Sequence, residues 1–238
     1  MPLGTTQKSF PADRQRPPSP DLRPIRLPKP RTAGGKSALA ALNARATNRE
    51  IDPEPLSRSL LSTVLWAAFG VNRLKGPFGG RGRTAASASN SQEIDLYVAL
   101  PKGIYLYEAA PHRLTPVAAG DLRELSISRG QRGTSAGRAP LNIIYVADIA
   151  RYKAAGFQEP GLKDPDVQKS YFNVAVGLIA GNVHLAAAAL GLAAWFHNCD
   201  KAALAAALNL RPDQRVLYGQ TVGYPAKSSP GISLRVTP

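Results

Sequence analysis

Two short polar runs hold the residues best suited to chemistry. The first, Arg45-Ala46-Thr47-Asn48-Arg49, gathers two guanidinium groups and a hydroxyl. Such a set can converge on a dianion through charge-assisted hydrogen bonds, which makes it a candidate phosphate site. On its own, the same pattern is also an ordinary solvated helix end. The second run, Ser87-Ala88-Ser89-Asn90-Ser91-Gln92, offers hydroxyls and amides to a phosphate or to the polar edge of a ring. Taken alone it reads equally well as a turn-rich loop.

Residues usually recruited as nucleophiles, bases or metal ligands are sparse. His112, His184 and His197 are too widely spaced for a zinc motif of the HExxH kind. The single cysteine, Cys199, excludes an intrachain disulfide and a Cys-based metal site. Its one basic neighbour, Lys201, is two residues away and does not mark an activated thiolate. His112 follows a proline and reads as a solvent-exposed loop residue, His184 as a satisfied core histidine, and Trp66 as core. No catalytic triad or metal set emerges.

The elements that must position these residues follow from composition and periodicity. The 238 residues, 44% hydrophobic, suffice for one large domain with a substantial core. Residues 1–36 differ in character. They hold eight Lys/Arg against Asp13 and Asp21, a net +6 of the total +14, and eight of the 21 prolines. They read as an extended Pro/Arg-rich arm, followed by a folded domain over residues 37–238. The remaining positive charge is dispersed, and no aromatic residues interleave with it as a base-stacking platform would need. A nucleic-acid partner is therefore not expected, and a basic surface that attracts anionic cofactors is. One cysteine and the lack of an apolar leader fit a cytoplasmic setting.

Ser37 is a good N-cap for a helix ending near Arg45. Residues 56–70 repeat apolar side chains at helical spacing up to Gly70. Residues 72–90, rich in Gly, Arg and Ser, predict a loop. Strands are predicted over 94–100, 104–108 and 113–117, with a turn at Lys102-Gly103. A short helix and loop should fill 122–138, and residues 142–147 read as a buried strand.

Asp164-Pro165 opens a long helix to about Leu190. It is apolar nearly all round and approaches membrane-spanning length. Asn173, Asn182 and His184 interrupt it, and its Ala and Gly content suits close packing, so a buried interface helix is expected and a membrane span is not. A strand over 193–198, a helix capped by Asp200 and a last strand over 215–223 complete the chain. The interleaving lacks a regular βαβ repeat, so the class is α+β with a mixed sheet flanked by helices.

The order of these pieces resembles the nitroreductase family of FMN-dependent oxidoreductases, over roughly residues 27–225. The likeness is strongest to the branch of azoline-oxidising dehydrogenases from peptide-modification pathways. Residues 45–49 resemble the family's Arg-x-Ser-x-Arg signature with Thr47 for serine. LSTVLWAAFGVNR is similar to the branch's Leu-Trp-Ala-Ala helix. RTAASASNSQ resembles both its Arg-Thr-Ala-Pro-Ser loop, with Ala86 for proline, and the Ser-Ser-x-Asn-Ser-Gln loop of typical members. Leu190-Gly191-Leu192, AWFHNCD and Val222-Gly223-Tyr224-Pro225 follow in family order. Gly181-Asn182 stands where Gln-Asn is common, and Trp195, Phe196 and His197 are bulkier than usual.

The resemblance implies a homodimeric flavoprotein with two FMN sites, each lined by both chains. Arg45, Thr47 and Arg49 would approach the phosphate and the pyrimidine edge. Ser87, Asn90 and Gln92 would contact the same flavin from the other subunit. His197 and Asn198 would lie near N5, and Lys227 would add a phosphate contact. It implies ping-pong hydride transfer from NAD(P)H through FMN to a small electron-poor acceptor, a nitro compound or a quinone. Peptide-azoline oxidation on the same fold is one alternative, and a non-catalytic basic protein that binds nucleic acid is another.

Overall fold

A computed structural model describes residues 22–154 and 164–227, so residues 1–21 of the arm lie outside the described part. In chain order the elements are β1 (Ile25–Arg26), α1 (Ala38–Ala44), β2 (Ile51–Asp52), α2 (Arg58–Phe69), β3 (Val71–Arg73) and β4 (Gly82–Arg83). Then come β5 (Ile94–Leu100), β6 (Gly103–Glu108), β7 (Arg113–Ala119), β8 (Leu141–Asp148), α3 (Ile149–Lys153), α4 (Pro165–Leu190), β9 (Ala193–His197), α5 (Lys201–Ala207) and β10 (Gln214–Pro225).

All eight residues of β8 are buried. A strand covered on both faces reads as a continuous apolar run, and LNIIYVAD is largely one. The main sheet is built around it in the order β1-β7-β6-β5-β8-β10-β2, with β9 also on β10. Pleating sends Tyr145 to one face, with Ile179 of α4 and Val64 of α2, and Ile144 and Val146 to the other, with Leu204 of α5. The Tyr145 hydroxyl donates to Gln220, whose amide donates to the Ala180 carbonyl at 3.3 Å. One polar chain thus ties β8, β10 and α4 through the core.

The α+β class stands, but each described pairing is antiparallel rather than mixed. Hairpins join β5, β6 and β7, and the helical excursion after β8 returns as β9 and β10 running against their neighbours. Two stretches differ from expectation. Residues 72–90 contain the β3–β4 hairpin, and 122–138 form short 3-10 turns at Arg123–Ser126, Arg129–Gln131 and Ser135–Arg138. Both are dense in Arg, Gly and Ser, so neither shows apolar periodicity.

The long helix α4 starts where the sequence placed it. Asp164 accepts the Asp166 amide and Pro165 occupies the first turn; Gly191, at φ +72°, ends the helix in the left-handed region that glycine tolerates. One face carries Phe172, Ala175, Val176, Ile179 and Val183 into the core. The opposite face leaves Val174 and Leu178 exposed, with open space around Gly177 and Gly181.

Residues 22–36 form a strap across α2. The Leu27 amide donates to the His112 carbonyl, the Ser62 hydroxyl to Pro28 O, the Arg31 amide to Thr63 Oγ1, and the Lys36 amide to Ala189 O. His112 is therefore not the solvent-exposed loop residue expected. Its backbone, at φ +50°, folds the ring back beneath the strap. Nε2 lies 2.7 Å from Ser62 Oγ and Nδ1 2.9 Å from the Tyr107 hydroxyl. Since Ser62 gives its proton to Pro28, His112 Nε2 must donate to Ser62, and Nδ1 accepts from Tyr107. Burial holds its pKa below the usual histidine value.

Candidate cofactor-binding site

The segment 45–49 runs extended from the C-cap of α1 into β2. Its main chain is pinned on several sides. The Asn48 amide donates to Ala194 O of β9 at 3.1 Å, Ser135 Oγ donates to Arg49 O at 3.1 Å, and the Ala226 amide donates to Glu50 O at 3.0 Å. The side chains remain outward. Arg45 and Arg49 are exposed and Thr47 is half-buried. The Arg49 guanidinium lies 5.4 Å from the centroid of the Trp195 ring, within cation–π range. Lys227, next to Ala226, is also exposed. Among the described residues no ion pair engages Arg45, Arg49 or Lys227. Uncompensated cations on a fixed backbone suit an anionic group such as a phosphate.

His197, at the end of β9, is brought beside this segment but turned inward. Its ring packs 4.6 Å from Trp195, Nδ1 lies 2.9 Å from Asn198 O, and Nε2 lies 2.9 Å from Thr221 Oγ1. A carbonyl can only accept, so Nδ1 carries the proton. Burial lowers the ring's pKa and favours the neutral form. The side chain is therefore committed to the sheet, and exposed Asn198 is the residue that faces outward. Cys199 is buried and its thiol is pushed up to about 11, so it is not a thiolate at neutral pH.

The loop 87–92 is built differently. Ser89, Asn90 and Gln92 have φ near +50°, a region that side-chain-bearing residues rarely adopt. Hydrogen bonds hold it there. The Gln92 amide nitrogen donates to Arg81 O at 2.7 Å and Asn90 Oδ1 at 3.0 Å, and its amide oxygen accepts from Arg83 Nε at 2.6 Å. Ser87 Oγ accepts the Gln92 main-chain amide, and Arg151 donates to Gln92 O. Arg83 also donates to Phe69 O and covers the Phe69 ring at 5.0 Å; burial brings its pKa down to about 10. Gln92 thus has its side chain spent on the loop itself, while Ser87 retains its hydroxyl hydrogen for a ligand.

Sequence reading noted Trp195 only for its bulk and missed its place under Arg49, and it missed Arg83 on Gln92 and Arg151 on the loop's last carbonyl. Arg83 stands at the head of the RTAASASNSQ motif and could have been found there. Arg151 comes from a distant element and leaves no local signal. His184 is also more than a satisfied core residue, because its buried Nδ1 has no hydrogen-bond partner among the described residues and Arg45 helps to lower its pKa after burial.

The two polar runs are not brought together within one chain. The Asp148 amide donates to Glu93 O, and Asp148 pairs with Gln214 at the start of β10. Arg49 lies over Trp195, which pairs with Thr221. From Gln214 to Thr221 the strand, bulged between Val216 and Tyr218, advances about 20 Å, more than the length of an extended FMN. A cavity of about 340 Å³ lies between α1, α2 and α4, bordered by Trp66, Thr84 and Asn182. None of the predicted site residues lines it.

The chain matches the model of the Nitroreductase family over residues 42–224. A structure from Ralstonia eutropha, itself described as a nitroreductase, is 34% identical. It covers 87% of this chain and 92% of its own, with a TM-score of 0.75. NfrA2 of Bacillus megaterium shares the fold at 19% identity, with coverage of 81% and 68% and a TM-score of 0.57. The Escherichia coli microcin synthetase McbBCD complex shares it at 17% identity, with coverage of 77% and 71% and a TM-score of 0.57. No protein of curated function matches the chain.

Proposed function

The chain belongs to the nitroreductase family, and on that premise we propose that it is a cytoplasmic, homodimeric, FMN-dependent oxidoreductase. It would pass hydride from NAD(P)H to a small electron-poor acceptor, a nitro compound or a quinone, in ping-pong order. The observation that carries this reading is the separation of the two polar runs. Each is half of a cofactor site, and they stand too far apart along β10 for one molecule to use both in one chain. A second chain placed across α1 and α4 completes each site. Leu39 and Leu42 on α1 and Val174 and Leu178 on α4 are exposed apolar residues suited to that contact.

Bound FMN supplies the hydride-accepting centre, and the protein supplies position and field. Arg45, Thr47 and Lys227 would hold the phosphate by charge-assisted hydrogen bonds. Arg49, steadied by the Trp195 ring, would supply a positive charge to the pyrimidine edge. Asn198, exposed beside them, would offer its polar groups to the ring. His197 acts from behind, fixing the Asn198 carbonyl. The partner chain contributes Ser87 and Asn90, with Gln92 holding their loop in shape. No acid–base side chain is needed for the transfer itself.

The test is the near-ultraviolet and visible absorbance of the purified protein and of the supernatant after heat denaturation. Flavin bands with FMN released are expected. A protein that stays colourless after incubation with FMN overturns the reading. Azoline oxidation is a second reading, supported by LSTVLWAAFGVNR and RTAASASNSQ. Turnover of a thiazoline peptide in preference to a nitroaromatic with NADPH would favour it.

A further inference from the structure

The β3–β4 hairpin has no role within its own chain that accounts for its surface. Residues 55–92 contain no acidic residue, while Arg58, Arg73, Lys75, Arg81 and Arg83 fall within them. The hairpin presents Arg73, Lys75 and Arg81 to solvent. At its tip, closed by the Gly76 amide on Gly80 O, Leu74 is 80% and Phe78 63% exposed. Among the described residues no ion pair engages those three cations. The hairpin also touches the loop 87–92 directly, since the Arg81 carbonyl accepts from both Gln92 and Asn90.

A complementary surface adjoins the other half-site. Glu50, Asp52 and Glu54 follow Arg49 immediately, in a chain with only 16 acidic residues among 238. Glu50 and Glu54 are exposed, and none of the three is ion-paired among the described residues. When the loop 87–92 of one protomer meets the segment 45–49 of another, the next surfaces outward are a basic hairpin and an acidic strand.

We infer that the β3–β4 hairpin of each protomer clasps residues 50–54 of its partner, a charge-matched contact that seats the loop 87–92 at the partner's cofactor site. The inference rests on the dimeric flavin site proposed above. Exposed pairs are weak singly, but those of two symmetry-related clasps add up, and opposite fields set which surfaces meet. Leu74 and Phe78 leave water in the same contact.

Charge exchange tests it with the full-length chain and FMN present. Lys75→Glu/Arg81→Glu in one chain and Glu50→Lys/Glu54→Lys in another should each weaken the homodimer ~30-fold. Sedimentation velocity reads this, with far-ultraviolet circular dichroism reporting that each variant is folded. Asp52 is left in place because its carboxylate accepts the Glu54 amide. Mixed together, the two variants match at both clasps, so native mass spectrometry with one chain tagged should show mainly the heterodimer. Homodimers as strong as wild type, or a statistical mixture of dimers, overturn the clasp and leave the dimeric flavin site standing. A wild-type chain that binds FMN as a monomer overturns that site and the clasp with it.

Discussion

The segment 45–49 fixes its main chain and frees its side chains, whereas the loop 87–92 uses side chains to fix its main chain. The first borrows rigidity from β9, β10 and the Ser135–Arg138 turn, so its arginines remain available to a ligand. The second is not paired into a sheet and must hold three residues at positive φ, each costing on the order of 1 kcal/mol. Arg81, Arg83, Gln92 and Arg151 supply the restraint. Binding power and shape are therefore carried by different residues in the two halves, and substitutions should separate them.

The largest effect is expected at Arg49. Arg49→Ala removes a charged donor from the ligand and only one exposed cation–π contact from the fold, so FMN affinity should fall ~10- to 100-fold. Stability in urea should change by less than ~0.5 kcal/mol. Titration of flavin fluorescence against apo protein measures the first. Unchanged affinity would mean that the cations do not carry the binding.

Gln92→Ala should show the reverse pattern. It strips Arg83 of a buried acceptor and the loop of its brace, costing ~1–2 kcal/mol of stability. FMN affinity should fall less than in Arg49→Ala. A large affinity loss with intact stability would show that Gln92 touches the ligand, erasing the contrast between the halves.

Ser89→Gly should have the smallest effect. Glycine relieves the strain at φ +51° but enlarges the unfolded ensemble, so the net gain should be about 0.5 kcal/mol or less. Thermal unfolding with and without FMN measures it. A clear loss of stability would mean that the Ser89 side chain contributes a contact of its own.

The same contrast explains what the sequence made legible. Periodicity placed α2, α4 and β5 closely, because each buries an apolar face whose spacing the chain must repeat, and the Ser37 cap placed the start of α1. The segment 45–49 could be identified as a candidate site because its proposed function resides in residue types at fixed spacing. The loop's residues were visible but their division of labour was not. That Gln92 spends its side chain on the loop follows from Arg81 and Arg83, which only the fold brings against it. His112 was misread for a related reason. Its partners Ser62 and Tyr107 lie on α2 and β6, and nothing near Pro111 announces them.

Placing the two polar runs at opposite ends of β10 has a genetic consequence. On the proposed shared site, one chain crippled at Arg49 and another crippled in the loop 87–92 should fail as separate homodimers. Co-expressed, they should form a mixed dimer in which one pocket inherits both lesions and the other inherits neither. Two inactive alleles of this gene should therefore complement each other in a single cell, whereas two alleles damaged in the same half should not.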